Sequence, residues 1–142
     1  MNLLDTNLKS TTLNGLTLTN NGDGTYTLNG TATARTIFRI GSTFTLDEGN
    51  YILSNSIYNN KVVISLCTRN YASGEKCGTY LNEVSMSLSE PTLLYPSLNV
   101  EEGSVNDNVI IKPMLEKGSK AHTFVRYGEP IDLMNYIDSL IN

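Results

Sequence analysis

Two-residue alternation of apolar and polar side chains recurs along most of this chain and constrains its fold more than any other feature. Residues 84–89, for example, read Val-Ser-Met-Ser-Leu-Ser. Because successive side chains of a strand point to opposite faces, this pattern predicts a strand with one buried face. About nine segments of this kind, among them residues 13–19 and 123–127, are separated by turns rich in Gly and Asn and predict an all-β antiparallel sandwich or barrel.

The polar composition agrees with strands and turns. The chain contains 17 Asn, 16 Thr and 13 Ser among its 142 residues. Asn and Ser compete for backbone hydrogen bonds inside helices and favour turns, whereas Thr suits strands. The run 20–24, Asn-Asn-Gly-Asp-Gly, is a strong hairpin signal. Pro91, Pro96 and Pro113 predict strand edges or bulges, because proline donates no ladder hydrogen bond.

The alternation also predicts which residues form the core. Each member of this set shares a strand face with other apolar or small residues. The set is Phe38, Phe44, Leu53, Ile64, Leu66, Met86, Leu98 and Ile111. Tyr26, Tyr51 and Tyr80 have the same parity as their apolar neighbours, so we expect them in the core too.

A single domain accounts for most of the chain. We assign residues 1–128 to one β domain, since this length can bury a sizeable core. Residues 129–142 are different, because Met134, Ile137 and Ile141 recur at helical spacing after Pro130. This segment predicts a short amphipathic helix or a linker to a further domain.

The charge balance argues against two kinds of partner. The net charge is −4, the isoelectric point is near 4.9, and no run of Lys or Arg interrupts the acidic balance. We therefore expect no nucleic-acid partner and no membrane insertion. Residues 1–5, Met-Asn-Leu-Leu-Asp, lack the basic start and apolar stretch of a signal peptide.

The sequence gives little support for a catalytic site or a metal site. His122 is the only histidine, and it follows a Gly-Ser turn outside any nucleophile motif. With Cys67 and Cys77 it cannot complete a four-ligand zinc site. The two cysteines are either reduced thiols or a disulfide closing a hairpin loop, and in both cases we expect them to be close in space. We expect the protein not to be an enzyme.

Three segments together carry a family resemblance. Residues 2–7 read Asn-Leu-Leu-Asp-Thr-Asn, residues 21–33 read Asn-Gly-Asp-Gly-Thr-Tyr-Thr-Leu-Asn-Gly-Thr-Ala-Thr, and residues 114–119 read Met-Leu-Glu-Lys-Gly-Ser. Their order resembles the jelly-roll domains of phage tail, tail-fibre and baseplate proteins, which are similar to carbohydrate-binding modules. The resemblance covers residues 2 to about 127. The chain departs from it at residues 121–124, Ala-His-Thr-Phe, where the family has Ala-Thr-Pro-Tyr.

The resemblance implies an architecture, a location and partners. It implies an antiparallel jelly-roll β-sandwich in a virion tail or a prophage-encoded protein, often as a homo-oligomer. The implied partners are a host-surface glycan or receptor and other tail or baseplate proteins. The alternative is a purely structural spacer or oligomerisation domain. It also implies no cofactor beyond a structural calcium ion between the first and last strands, for which Asp5 and Glu116 could supply oxygen ligands.

A candidate glycan-binding surface follows from tyrosines whose parity differs from that of their apolar neighbours. Sugar recognition needs flat aromatic faces and planar polar groups. Tyr58, Tyr71 and Tyr95 have the exposed parity, and Arg69 and Asn70 lie beside them in sequence. These five residues form the predicted ligand-binding site, although exposed tyrosines that contact no ligand are the alternative.

Overall fold

The protein is all-β in the part of the chain that its computed structural model describes, namely residues 1–56, 61–68, 76–78 and 83–129. Every strand pair in its sheets is antiparallel, as the alternation predicted. The predicted C-terminal helix falls on residues 130–142, outside the described residues. The strands are β1 (Thr11–Leu13), β2 (Leu16–Asn20), β3 (Tyr26–Thr31), β4 (Thr36–Arg39), β5 (Phe44–Leu46), β6 (Gly49–Ser54), β7 (Val62–Thr68), β8 (Lys76–Gly78), β9 (Glu83–Leu88), β10 (Thr92–Val100), β11 (Val105–Ile111) and β12 (Met114–Lys117).

The strands form three sheets within the described residues. The four-stranded sheet has the order β1-β2-β3-β11, and the three-stranded sheet has the order β12-β6-β9. The five-stranded sheet has the order β4-β10-β7-β8, with β5 pairing along another stretch of β10. Strands β11 and β12 are separated by Lys112 and Pro113 alone, so Pro113 lies between two strands, at the passage from one sheet to the next.

The first hairpin turns at Asn14-Gly15, near the start of the segment 13–19 that the alternation predicted as one strand. Both residues have positive φ, 51° for Asn14 and 80° for Gly15. Asn-Gly suits a two-residue hairpin turn because both tolerate this backbone region. The turn packs closely on the neighbouring strand, since a Cβ on Gly15 would lie 2.5 Å from the carbonyl oxygen of Thr31.

Pro96 lies inside β10, the central strand of the five-stranded sheet, where a proline was expected only at an edge or bulge. On one side β10 pairs continuously with β7, with Pro96 opposite Leu66. On the other side the partner changes from β5, which pairs with residues 92–94, to β4, which pairs with residues 97–100. Pro96 thus falls at the gap between two ladders, where no N–H donor is required.

One core cluster draws buried side chains from all three sheets. Seven of the eight predicted core residues are at least 93% buried, and Phe44 is half-buried against the cluster. Tyr26 and Tyr51 are also buried as predicted, while Tyr80 lies outside the described residues. Burial raises the pKa of both the Tyr26 and the Tyr51 hydroxyl.

The two cysteine positions lie on paired strands. In the ladder between β7 and β8, Leu66 is opposite Cys77 and Cys67 is opposite Lys76. The prediction that the cysteines are close in space is therefore confirmed. Cys67 is a buried free thiol whose Sγ lies 3.5 Å from the Ser97 hydroxyl, so the reduced alternative holds for this residue.

The N-terminal segment contacts the last part of the described chain through Asn2, a residue that is 1% exposed. Its Oδ1 accepts hydrogen bonds from the backbone N–H of Leu4 and of Leu115, and its Nδ2 donates to the Val125 carbonyl. A strand was expected over 123–127, but this stretch makes only an isolated bridge between Asn2 and Tyr127. Asn2 thus joins the N-terminal segment to β12 and to the end of the described chain.

Candidate functional site

The outer face of the five-stranded sheet carries the polar groups that we assign to the candidate site. Ile64, Leu66 and Leu98 point into the core, so the alternating residues of the same strands point the other way. The ladder registers arrange these outward residues in three rows across the sheet. The rows are Ile37–Asn99–Val63, Arg39–Ser97–Ser65 and Tyr95–Cys67.

The middle row forms a shallow trough because its serines are small. Ser97 and Ser65 are 0% and 4% exposed, whereas Asn99 beside them is half-exposed and Arg39 is exposed. The Asn99 side chain spans the trough, since its Nδ2 donates to the Ser65 hydroxyl at 3.0 Å and to the Ser97 hydroxyl at 3.3 Å. These contacts fix the orientation of the amide, and among the described residues no group donates to its Oδ1.

Tyr95 and Arg39 contact each other on the same outer face. The guanidinium carbon of Arg39 lies 4.4 Å from the centre of the Tyr95 ring, a cation–π contact. Arg39 is held there by donation from its Nε to the Gly41 carbonyl and from its Nη2 to the Thr43 hydroxyl. One face of the tyrosine is thus covered by an oriented guanidinium, which presents planar donors and not a bare aromatic surface.

The trough opens into a cleft of about 470 Å³. Val63, Ser65 and Asn99 line it from the sheet, and Arg35 adds a positive charge at its border. Glu101 and Glu102, which follow β10 directly, add two negative charges. Two valines and the polar Ser65 and Asn99 thus line the cleft together with charged groups of both signs, a mixed lining that suits a neutral, hydroxyl-rich ligand.

Of the five residues predicted to bind ligand, the structure places Tyr95 at this face, half-buried and on the predicted outward side. Tyr58, Arg69, Asn70 and Tyr71 lie outside the described residues.

Sequence reasoning missed the residues that shape the trough, namely Arg39, Ser65, Ser97 and Asn99. Their parity was a usable signal, because Ser97 and Asn99 follow Tyr95 at two-residue steps. Their convergence depends on the pairing of β4, β10 and β7, and that pairing is not encoded in any local pattern.

The two expected calcium ligands lie in different environments. Asp5 is exposed, whereas Glu116 is 2% exposed, and its carboxylate contacts His122 through both oxygens. Among the described residues, no three His, Cys, Asp or Glu side chains group closely enough to hold a metal ion. Glu116 therefore fits a structural partner of His122 better than a calcium ligand.

Comparisons with known proteins give the chain no relatives: no family model matches it, and neither curated proteins nor solved structures include a significant match. In the part of the chain that the structure describes, no helix is long and apolar enough to span a bilayer.

Proposed function

We propose that this chain is a non-catalytic jelly-roll domain of a phage tail or baseplate protein that binds host-surface glycan through the outer face of its five-stranded sheet. The motifs at residues 21–33 and 114–119 support the phage-tail assignment. The strand order supports a jelly roll, because β3 pairs with β11 and β4 with β10, far apart in sequence, around one shared core.

The observation that carries the binding proposal is the oriented amide of Asn99 above the serine trough. An amide fixed by two hydrogen bonds needs no reordering when a ligand arrives, which lowers the entropic cost of binding. Its Oδ1, to which no group of the described chain donates, accepts a hydrogen bond from a sugar hydroxyl, and Arg39 offers donors about one row away. Tyr95 contributes its edge and hydroxyl beside them.

Single-site affinity is expected to be weak. The chain has no Trp, and Arg39 covers one face of Tyr95, so little aromatic surface remains for stacking. We expect dissociation constants on the order of millimolar for one site. Repeated copies in a tail tip, together with other tail or baseplate proteins, would raise the effective affinity by avidity.

The test is titration of host-surface polysaccharide against the wild-type domain, Asn99→Ala and Tyr95→Ala. Ser85→Ala is the matched control, because Ser85 is an exposed strand residue of the three-stranded sheet. We expect Asn99→Ala to weaken binding about tenfold, the loss of one or two hydrogen bonds, and Ser85→Ala to bind like wild type. Equal binding by all four proteins would exclude this face. Absence of binding by multimerised wild type would favour the alternative, a structural spacer of the tail.

A further inference from the structure

A second, smaller cleft lies at one end of the three-stranded sheet. Ser54, the last residue of β6, is opposite Glu83, the first residue of β9, and Met114, the first residue of β12. Just beyond these strand ends, residues 54–56 and 121–124 line a cleft of about 260 Å³ together with Glu83 and Lys112. None of its lining residues belongs to the trough on the five-stranded sheet.

Asn55 gives this cleft its chemical character. The residue lines the cleft and is 6% exposed, yet within the described chain neither its Oδ1 nor its Nδ2 has a hydrogen-bond partner. Other buried amides are satisfied, since Asn2 and Asn106 each make several hydrogen bonds. Burying a polar group without a partner is energetically unfavourable, so a side chain that leaves both its polar groups unpaired within the described chain needs a reason.

The other lining groups are polar at the rim and apolar on one wall. Lys112 and Glu83 are exposed, and among the described residues neither forms an ion pair or a side-chain hydrogen bond. Phe124 supplies an aromatic surface, and His122 is held by Glu116, which contacts its Nδ1 and its backbone N–H. Charges of opposite sign at the rim favour neither an anion nor a cation, and the buried group that requires a partner is neutral.

We propose that this cleft binds a single neutral sugar residue through a vicinal diol held by the Asn55 amide. A carboxamide presents one acceptor and one pair of donors in a plane, and two adjacent hydroxyls complement them because each can donate and accept. Lys112 and Glu83 hydrogen-bond the hydroxyls nearer the rim, and Phe124 packs against the C–H surface of the ring. The cleft volume of about 260 Å³ is large enough for one pyranose ring.

This site is independent of the glycan surface proposed above. The two lie on different sheets and share no residue. A branched or repeating polysaccharide could therefore engage both, and the second contact would be intramolecular and raise the overall affinity. Loss of one site leaves the other intact, so the two proposals fail separately.

The experiment follows the side-chain NH₂ signals of Asn55 by ¹H–¹⁵N NMR while methyl glycosides of glucose, galactose and mannose are added singly to about 50 mM, matching millimolar affinity. We expect at least one sugar to shift these signals saturably in wild type and in Asn99→Ala. Asn55→Asp keeps the acceptor and loses the donors, so binding should weaken about tenfold. Sugars that shift nothing in wild type would overturn the proposal and leave a buried water as the partner of Asn55.

Asn55→Leu separates binding from folding. Leu has nearly the shape of Asn but no polar group, so we expect the variant to lose sugar binding while its melting temperature stays the same or rises. Binding is measured in this variant through the backbone signals of residues 54–56 and 121–124. Ser85→Ala is the control for both readouts. Undiminished binding by folded Asn55→Leu, or by Asn55→Asp, would remove the amide from the site and overturn the proposal.

Discussion

The buried carboxylate of Glu116 accepts hydrogen bonds from the backbone N–H and from the Nδ1 of His122, six residues further along the chain. Glu116 lies in β12, with its side chain 2% exposed, while the imidazole is 31% exposed. A carboxylate at this depth is stable only if its oxygens are satisfied. The one histidine of the chain therefore stabilises β12 through its contact with Glu116.

The first prediction follows from this pair. His122→Ala removes the imidazole and leaves one oxygen of Glu116 without its partner, so we expect the free energy of unfolding to fall by about 1–3 kcal/mol. Urea denaturation measures it. In a double-mutant cycle with Glu116→Gln, the two losses should not add, because they remove the same contact. Additive losses would show that the two side chains do not interact.

Two glycines test the close packing at the first hairpin. Gly15 and Gly22 have nearly the same φ, 80° and 82°, but a Cβ on Gly15 would meet the Thr31 carbonyl oxygen at 2.5 Å and one on Gly22 would meet nothing within 4 Å. Both alanine variants incur the left-handed backbone penalty of about 1–2 kcal/mol. We expect Gly15→Ala to lose at least 1 kcal/mol more, about the cost of a forced backbone shift. Equal melting temperatures would contradict the packing at this turn.

The core registers are tested on β7 and β10. Leu66 is fully buried, whereas Leu93, on the outer side of β10, is 41% exposed. Leu66→Ala should lower the free energy of unfolding by about 2–5 kcal/mol, because it leaves a cavity in the shared core. Leu93→Ala should change it by less than about 1 kcal/mol. A reversed order of the two losses, measured by chemical denaturation, would show that the register is off by one residue.

The hydrogen bonds of Asp23 predict that the stability of the fold decreases in acid. Its Oδ1 accepts hydrogen bonds from the hydroxyl and the backbone N–H of Thr25, and these hold the pKa of the carboxyl below its ordinary value. A carboxyl with a lowered folded pKa stabilises the fold above its unfolded pKa of about 4, and the stabilisation is lost as pH falls through the folded value. We expect Asp23→Ala to be less stable than wild type at pH 6, and the difference to shrink below pH 4. A difference that is constant from pH 6 to pH 2 would contradict this.

Most of what could be predicted of the fold came from the alternation of apolar and polar residues along single strands. It placed Leu53, Ile64 and Leu98 inside and Tyr95 outside, because the side-chain period of a strand is fixed by its backbone. The prediction of one strand failed at Asn14-Gly15. A two-residue turn leaves the alternation of apolar and polar residues unbroken, so the pattern does not reveal the turn. It also failed at Pro96, whose position is explained by the change of neighbouring strand and not by β10 itself.

The candidate sites were less predictable because they depend on contacts distant in sequence. Arg39 reaches Tyr95 only because β4 pairs with β10, and the amide of Asn99 is fixed by Ser65 of a third strand. Asn55 is one of 17 asparagines, and nothing around it in sequence indicates that its amide is buried without a partner among the described residues. Burial and satisfaction of a polar group are properties of the folded chain, so only the structure could single it out.

The most direct test of the proposed glycan site is ¹H–¹⁵N NMR mapping of the wild-type domain during titration with oligosaccharides released from the host-surface polysaccharide. The account predicts that the largest shifts fall on the backbone signals of Ser65, Ser97 and Asn99 and on the side-chain amide of Asn99. Residues of β2, such as Thr17 on the four-stranded sheet, should not respond. Shifts confined to other surfaces would contradict the assignment of the outer face of the five-stranded sheet as the glycan-binding site.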